Sequence, residues 1–138
     1  MTDPVVARVV AELEIRNLMA RIAHLADQGD LDEYVDQFTD DASWEFPAGP
    51  RRGRADIRAG AISRRTEGVT GPGSATRHVV TTVAVCVDDL ETATADSYWV
   101  FWRSTNTTPT VFNMGLYHDT FRRDDQVWRL ARRQITIG

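Results

Sequence analysis

From residue 76 onward the chain reads as strand almost without interruption, whereas the text before it reads as helix and loop. Residues 76–87, 92–105, 110–122 and 127–137 are rich in β-branched and aromatic side chains, the composition of strands. Short turn sequences divide them: Asp88-Asp89-Leu90, residues 106–109, and Arg123-Asp124-Asp125-Gln126. Long strands with such short connections must run antiparallel, because a parallel pair needs a long crossover. Helices first and strands afterwards is the α+β pattern, with the helices packed on one face of the sheet. In the first long strand, strict alternation puts His78, Val80, Thr82, Ala84 and Cys86 on one face. Val79, Thr81, Val83, Val85 and Val87 fall on the other.

The helical half has its own punctuation. Residues 4–28 read as one helix with Pro4 in its first turn. Val6, Val9, Val10 and Leu13 make one apolar stripe, and Ile15, Leu18, Met19, Ile22 and Leu25 make another. The two stripes are rotated apart, so the helix serves two surfaces. Gly29 is expected to end it in the left-handed conformation. Asp30 is the expected N-cap of a short helix over 31–38, with Glu33 at the capping-box spacing. Residues 39–41 read as a turn, and 42–46 as a strand stopped by Pro47. A third helix is expected over 54–65, anchored by Ile57, Ala61 and Ile62. Residues 67–74 hold three glycines and a proline and read as a loop. Asp27 lies just before the first break. On an ideal wheel it sits about 140° from Ile22, off the apolar stripe. If its carboxylate points inward it needs a partner, because an unpaired buried charge is costly.

A chain of 138 residues is the length of one domain. Its net charge of −4 speaks against a nucleic-acid surface. Every one of its 16 basic residues is arginine, which removes lysine Schiff-base and lysine-base chemistry. The single cysteine, Cys86, removes an internal disulfide and multi-cysteine metal sites. The N-terminal segment carries charge too early for a signal peptide, and no apolar run reaches membrane-spanning length. A cytoplasmic location is expected. Three histidines on separate elements lack ligand spacing, so no metal site is expected. A Gly-rich phosphate loop and a GxSxG elbow are both missing.

Several motifs, in order, resemble the SnoaL-like branch of the nuclear-transport-factor-2-like superfamily. They are RIAHLADQGDLDEYVDQFTDDASWEFP at 21–47, GRADI at 53–57, RHVVTT at 77–82, GLYHDTFRR at 115–123 and VWRLARR at 127–133. The resemblance spans nearly the whole chain. It implies a cystatin-like, cone-shaped α+β barrel, with a strongly curved mixed or antiparallel sheet wrapped on the N-terminal helices. It further implies a pocket at the wide end, a single domain over 1–138, and a homo-oligomer, dimer or trimer.

The dehydratase-like members (scytalone dehydratase, bile-acid dehydratase and hexachlorocyclohexane dehydrochlorinase) are similar in placing an aspartate at the end of the first helix. They also place a histidine on the first long strand. Asp27 and His78 match those positions and are the expected catalytic pair. A histidine near neutral pKa can take a proton from carbon, and a carboxylate on its other nitrogen holds the tautomer. Tyr34, Trp44, Phe46, Asn113 and Arg132 are the expected substrate-binding residues. Ile22 and Phe46 stand where steroid isomerases of the superfamily carry acid and base, which disfavours that chemistry. Ile22 also departs from the tyrosine common in the dehydratases. His24 is expected at the surface, and His118 outside the cone if Tyr117 points in. The tryptophans fit a core or a subunit interface. Arg129 and Arg132 face opposite sides of the last strand.

The expected function is a cofactor-independent lyase acting on a small, largely apolar cyclic molecule. The alternatives are a non-catalytic binding module, such as a subunit like the small chain of ring-hydroxylating dioxygenases, and a polyketide cyclase.

Overall fold

The computed structural model describes residues 3–138. Helix α1 (Pro4–Gln28) is capped by Asp3, whose carboxylate accepts the Val5 N–H at 2.7 Å. Helix α2 (Leu31–Asp36) begins at Asp30, whose side chain accepts the Glu33 N–H at 3.0 Å. Strand β1 (Phe38–Glu45) follows, then the two-residue β2 (Arg51–Arg52) and helix α3 (Arg54–Thr66). Strands β3 (Thr76–Val87), β4 (Thr92–Arg103), β5 (Thr110–Asp124) and β6 (Val127–Ile137) complete the chain. The single sheet runs β2-β1-β6-β5-β4-β3. The meander β3 to β6 is antiparallel, and β1 joins β6 in parallel. This is the curved α+β architecture the resemblance implies. Among the described residues, no helix is long and apolar enough to cross a membrane.

Only one stripe of α1 meets the sheet. Ile15, Leu18, Met19 and Ile22 are buried with Phe38, Ile57, Phe121 and Leu130. Val5, Val6, Val9, Val10 and Leu13 on the other stripe remain exposed. Complete burial of a Leu- or Ile-sized side chain stabilises by roughly 1.5–3 kcal/mol, so the C-terminal half of α1 anchors the helix.

Local expectations fail at four places, each for a physical reason. Gly29 is not left-handed: its φ is −96° and its ψ 178°. Glycine is required there by proximity, since a Cβ would lie 2.5 Å from Leu25 Cδ2. Residues 39–41 are not a free turn. They are an irregular stretch of β1, whose pairing with β6 jumps from Phe38↔Leu130 to Ser43↔Arg132. The short helix therefore ends at Asp36, two residues before the expected limit.

The alternation of β3 also breaks. A bulge between Thr81 and Ala84, with Thr82 at φ 53°, exchanges the two faces of the strand. His78 and Val80 face inward before it, whereas Val83 and Val85 pack on the core after it. The fourth departure is in β6. Ala131 has no partner on β5, where Thr120 pairs with Arg132 and Phe121 with Leu130. Inward residues are even-numbered before this bulge (Trp128, Leu130) and odd-numbered after it (Arg133, Ile135). Arg132 is thereby turned outward onto Glu45, and Arg133 is turned in.

Arg133 reaches the core without an energetic fault because β5 supplies its counter-ion. Its Nε and Nη2 donate to the two oxygens of Asp119 at 2.8 and 2.9 Å, and both residues are buried. The two stand directly opposite across the β5–β6 ladder. Burial alone would lower the Arg133 pKa, but Asp119 beside it more than reverses that and holds the guanidinium charged. Nearby, Gly115 permits a close approach of β5 to β6. A Cβ there would fall 1.9 Å from the Thr136 carbonyl oxygen and 2.9 Å from Trp99 Cζ2.

Two stability predictions follow from this geometry. Gly115→Ala should lower unfolding free energy by about 2 kcal/mol or more, because β5 and β6 must separate; an unchanged urea midpoint would refute it. Asp119→Asn should cost about 3–5 kcal/mol by leaving a buried guanidinium unpaired. Thermal unfolding that matches the parent would show that Arg133 finds another partner.

Candidate functional site

The site begins at the end of α1. Asp27 occupies its last turn and is only 5% exposed. The helical wheel does not predict this burial. It arises because the curved sheet covers α1 from a second side, where β3 runs along the helix. Strand β3 is a sheet edge, paired only with β4, so every second backbone N–H faces away from the sheet. The N–H of His78 is one of these, and Asp27 accepts it at 3.3 Å through Oδ1 and 3.0 Å through Oδ2. Asp27 Oδ1 also lies 2.7 Å from His78 Nδ1. An ionised carboxylate only accepts hydrogen bonds, so the ring proton belongs on Nδ1 and the lone pair on Nε2. The ring is packed against Phe101 at 4.6 Å between centroids.

Other contacts fix the position of this turn. Arg65 of α3 donates through Nη2 to the carbonyls of Leu25, Ala26 and Gly29 at 3.0, 3.3 and 2.8 Å. A cation at a helix C-terminus satisfies orphan carbonyls and complements the dipole. The 67–74 loop is tied down as well. Thr76 Oγ1 donates to the Val69 carbonyl at 3.1 Å, and Ser74 Oγ to the Gly71 carbonyl at 2.7 Å.

His78 opens on a two-chambered cavity. The inner chamber, about 40 Å³, is bounded by Ile22, Tyr34, Val80, Tyr117 and Arg133. The outer chamber, about 460 Å³, is bounded by Phe46, Trp99, Phe101, Phe112, Asn113 and Ile135. Trp44, Arg64, Thr70, His78 and Tyr117 border both, so the two chambers adjoin. A wider surface groove of about 600 Å³ runs along the other side of the pair, between α1 and β3. It borders Arg16, His24 and Arg77 as well as Asp27 and His78 themselves.

The expected residues separate cleanly. Tyr34, Trp44, Phe46 and Asn113 line the cavity with Asp27's partner His78. Arg132 does not. Its side chain is half exposed and held by Glu45 on the outer face, because the bulge at Ala131 sends Arg133 inward in its place. His24 and His118 are exposed, and Tyr117 points in. Trp128 is core, whereas Trp99 lines the outer chamber.

Sequence reasoning missed Arg64, Arg133, Thr70 and Phe101. The signal for Arg64 was present, since it follows Ile57, Gly60 and Ala61 on one face of α3. Burial lowers its pKa, and Arg51 adds to that effect. Burial raises Tyr34 despite the opposing arginines around it, and pushes Tyr117 up to about 12. Both phenols therefore stay protonated at neutral pH and can donate. Among the described residues, no three His, Cys, Asp or Glu side chains converge as a metal site needs.

The comparisons agree with this fold. A variant of Rv3472, a Mycobacterium tuberculosis protein of unknown function, superposes with a TM-score of 0.86 at 27% identity. The match covers 99% of this chain and 76% of that one. An NTF2-like protein of cystatin-like fold from Novosphingobium aromaticivorans gives 0.82 at 27% identity, over 94% and 82% of the two chains. A candidate scytalone dehydratase from the same organism gives 0.79 at 18% identity, over 97% and 88%, which speaks to the fold alone. A search of curated protein sequences finds no match. The family model described as the SnoaL-like domain matches residues 7–134, and the chain therefore belongs to the SnoaL-like family.

Proposed function

We propose that the protein is a cofactor-independent lyase that eliminates water, or a comparable leaving group, from a small cyclic and largely apolar molecule. The observation that carries this reading is the 2.7 Å link between His78 Nδ1 and Asp27, with His78 at the border of an aromatic-lined cavity of about 460 Å³. Nε2 of the neutral ring takes a proton from the carbon next to a carbonyl. The C–H pair becomes the new double bond as the hydroxyl on the adjacent carbon departs. The imidazolium returns its proton to that hydroxyl, and water leaves. Asp27 stabilises the imidazolium and keeps the ring aimed; it is a positioning residue. The phenols of Tyr34 and Tyr117 are suited to donate to the developing enolate oxygen, because burial keeps them neutral.

One feature favours a second reading, a binding module. Ile22 presents only hydrocarbon to the inner chamber, where the dehydratases commonly carry a tyrosine. A third proposal concerns assembly. Tyr98, Met114 and Leu116 are each more than 40% exposed on the outer face of neighbouring strands, and we assign the homo-oligomer interface to that face.

The lyase reading is tested with a panel of cyclic β-hydroxy ketones, following conjugated enone formation by absorbance. His78→Ala should reduce kcat/KM by about 10²–10⁴-fold with circular dichroism unchanged. Asp27→Asn should reduce it by about 10²-fold or more, mainly through kcat, since the tautomer is lost. His78→Ala turnover within twofold of the parent would eliminate this mechanism. Tight binding of the same compounds without any turnover would establish the binding module instead. For the interface, Leu116→Glu should shift sedimentation equilibrium to monomer; an unaltered distribution, or a monomeric parent, would exclude that face.

A further inference from the structure

Three arginines border the cavity, and their situations differ. Arg133 is neutralised by Asp119. Arg51 is paired with Asp56 at 3.1 Å. Arg64 has no such partner: among the described residues its guanidinium forms no ion pair and donates no hydrogen bond. It rests 4.7 Å over the Trp44 ring. It also stands beside a second cation. A Cβ on Gly60 would lie 3.0 Å from Arg51 Nε and 3.2 Å from Arg64 Nη1, so both guanidinium groups overhang the same glycine. Side chains bordering the inner chamber include no acid, and Glu67 is the only acid bordering the outer one. Glu67 is exposed and accepts from Ser63 Oγ at 3.5 Å.

A guanidinium on the apolar face of a helix, close to another guanidinium and facing an aromatic cavity, is an unmet charge. Its fork of donors matches a carboxylate in plane and in spacing. We propose that Arg64 anchors a carboxylate of the substrate, so that the cavity prefers a monoanionic aromatic or alicyclic acid over its neutral counterpart. The hydrocarbon part of such a ligand lies against Trp44, Phe46, Trp99, Phe101 and Phe112. Because Arg64 and His78 border both chambers, a ligand held at its carboxylate lies in space that His78 also borders. This assignment names the substrate class of the proposed lyase and rests on the cavity being its substrate site, but its test reads binding and not turnover.

The test compares 2-naphthoate with 2-naphthamide, equal in shape and different in charge, by isothermal titration calorimetry at neutral pH. The parent protein should bind the acid at least about 10-fold more tightly than the amide. Arg64→Gln should remove that preference by weakening the acid while leaving the amide within about twofold, and Arg64→Lys should restore part of it. His78→Ala should keep the preference intact, which separates this result from any failure of the elimination mechanism. Equal affinity for acid and amide in the parent overturns the proposal. So does failure of both to bind, or an Arg64→Gln variant that weakens both alike.

Discussion

The site depends on one carboxylate that closes the open edge of a sheet. Strand β3 has no neighbour on its outer side, and its backbone N–H at His78 would be unsatisfied without Asp27. The same carboxylate holds the His78 ring. A buried aspartate is costly when unpaired; here the donors that satisfy it also complete the sheet edge. Structural and chemical demands thus converge on a single residue. Arg65 braces the helix end that carries it, through three carbonyls. The aim of the imidazole is therefore set by contacts from α1, α3 and β3 together.

Two bulges then decide what surrounds the ring. Without the one at Thr82, Val83 and Val85 would face solvent, and α1 would lose part of the apolar surface on which it rests. Without the one at Ala131, Arg132 would enter the core in place of Arg133, and the Asp119 pairing across β5 would be lost. Each extra residue also bends its strand. Curvature is what separates the sheet from the helices far enough to leave a cavity between them. The same irregularities therefore shape the pocket and select its charged lining.

The cavity is electrostatically uneven. Its deep arginine is neutralised by Asp119, whereas Arg64 on α3 is not. Its phenols are kept protonated by burial. An imidazole from β3, neutral phenols from α2 and β5 and an unmet cation from α3 border these two chambers. No single element could present this set, which is why helices and sheet edge must meet for the site to exist.

Periodicity in the sequence determined the fold class, because 3.6-residue and 2-residue repeats are local properties of the chain. The N-terminal helix and the four long strands follow from it. The aspartate–histidine pairing was legible only through motif resemblance, since residues 27 and 78 have no local relation. The burial of Asp27 was legible only through that same resemblance: the helical wheel places it off the apolar face, and the wrapping of β3 around α1 covers it. The exchange of Arg132 for Arg133 was equally hidden, because a bulge is decided by how two strands register and not by the residues of one. Arg64 lay between these cases. Its place on the apolar face of α3 could be read from spacing, but its lack of a counter-ion belongs to the tertiary structure, where charges far apart in sequence are brought together or kept apart.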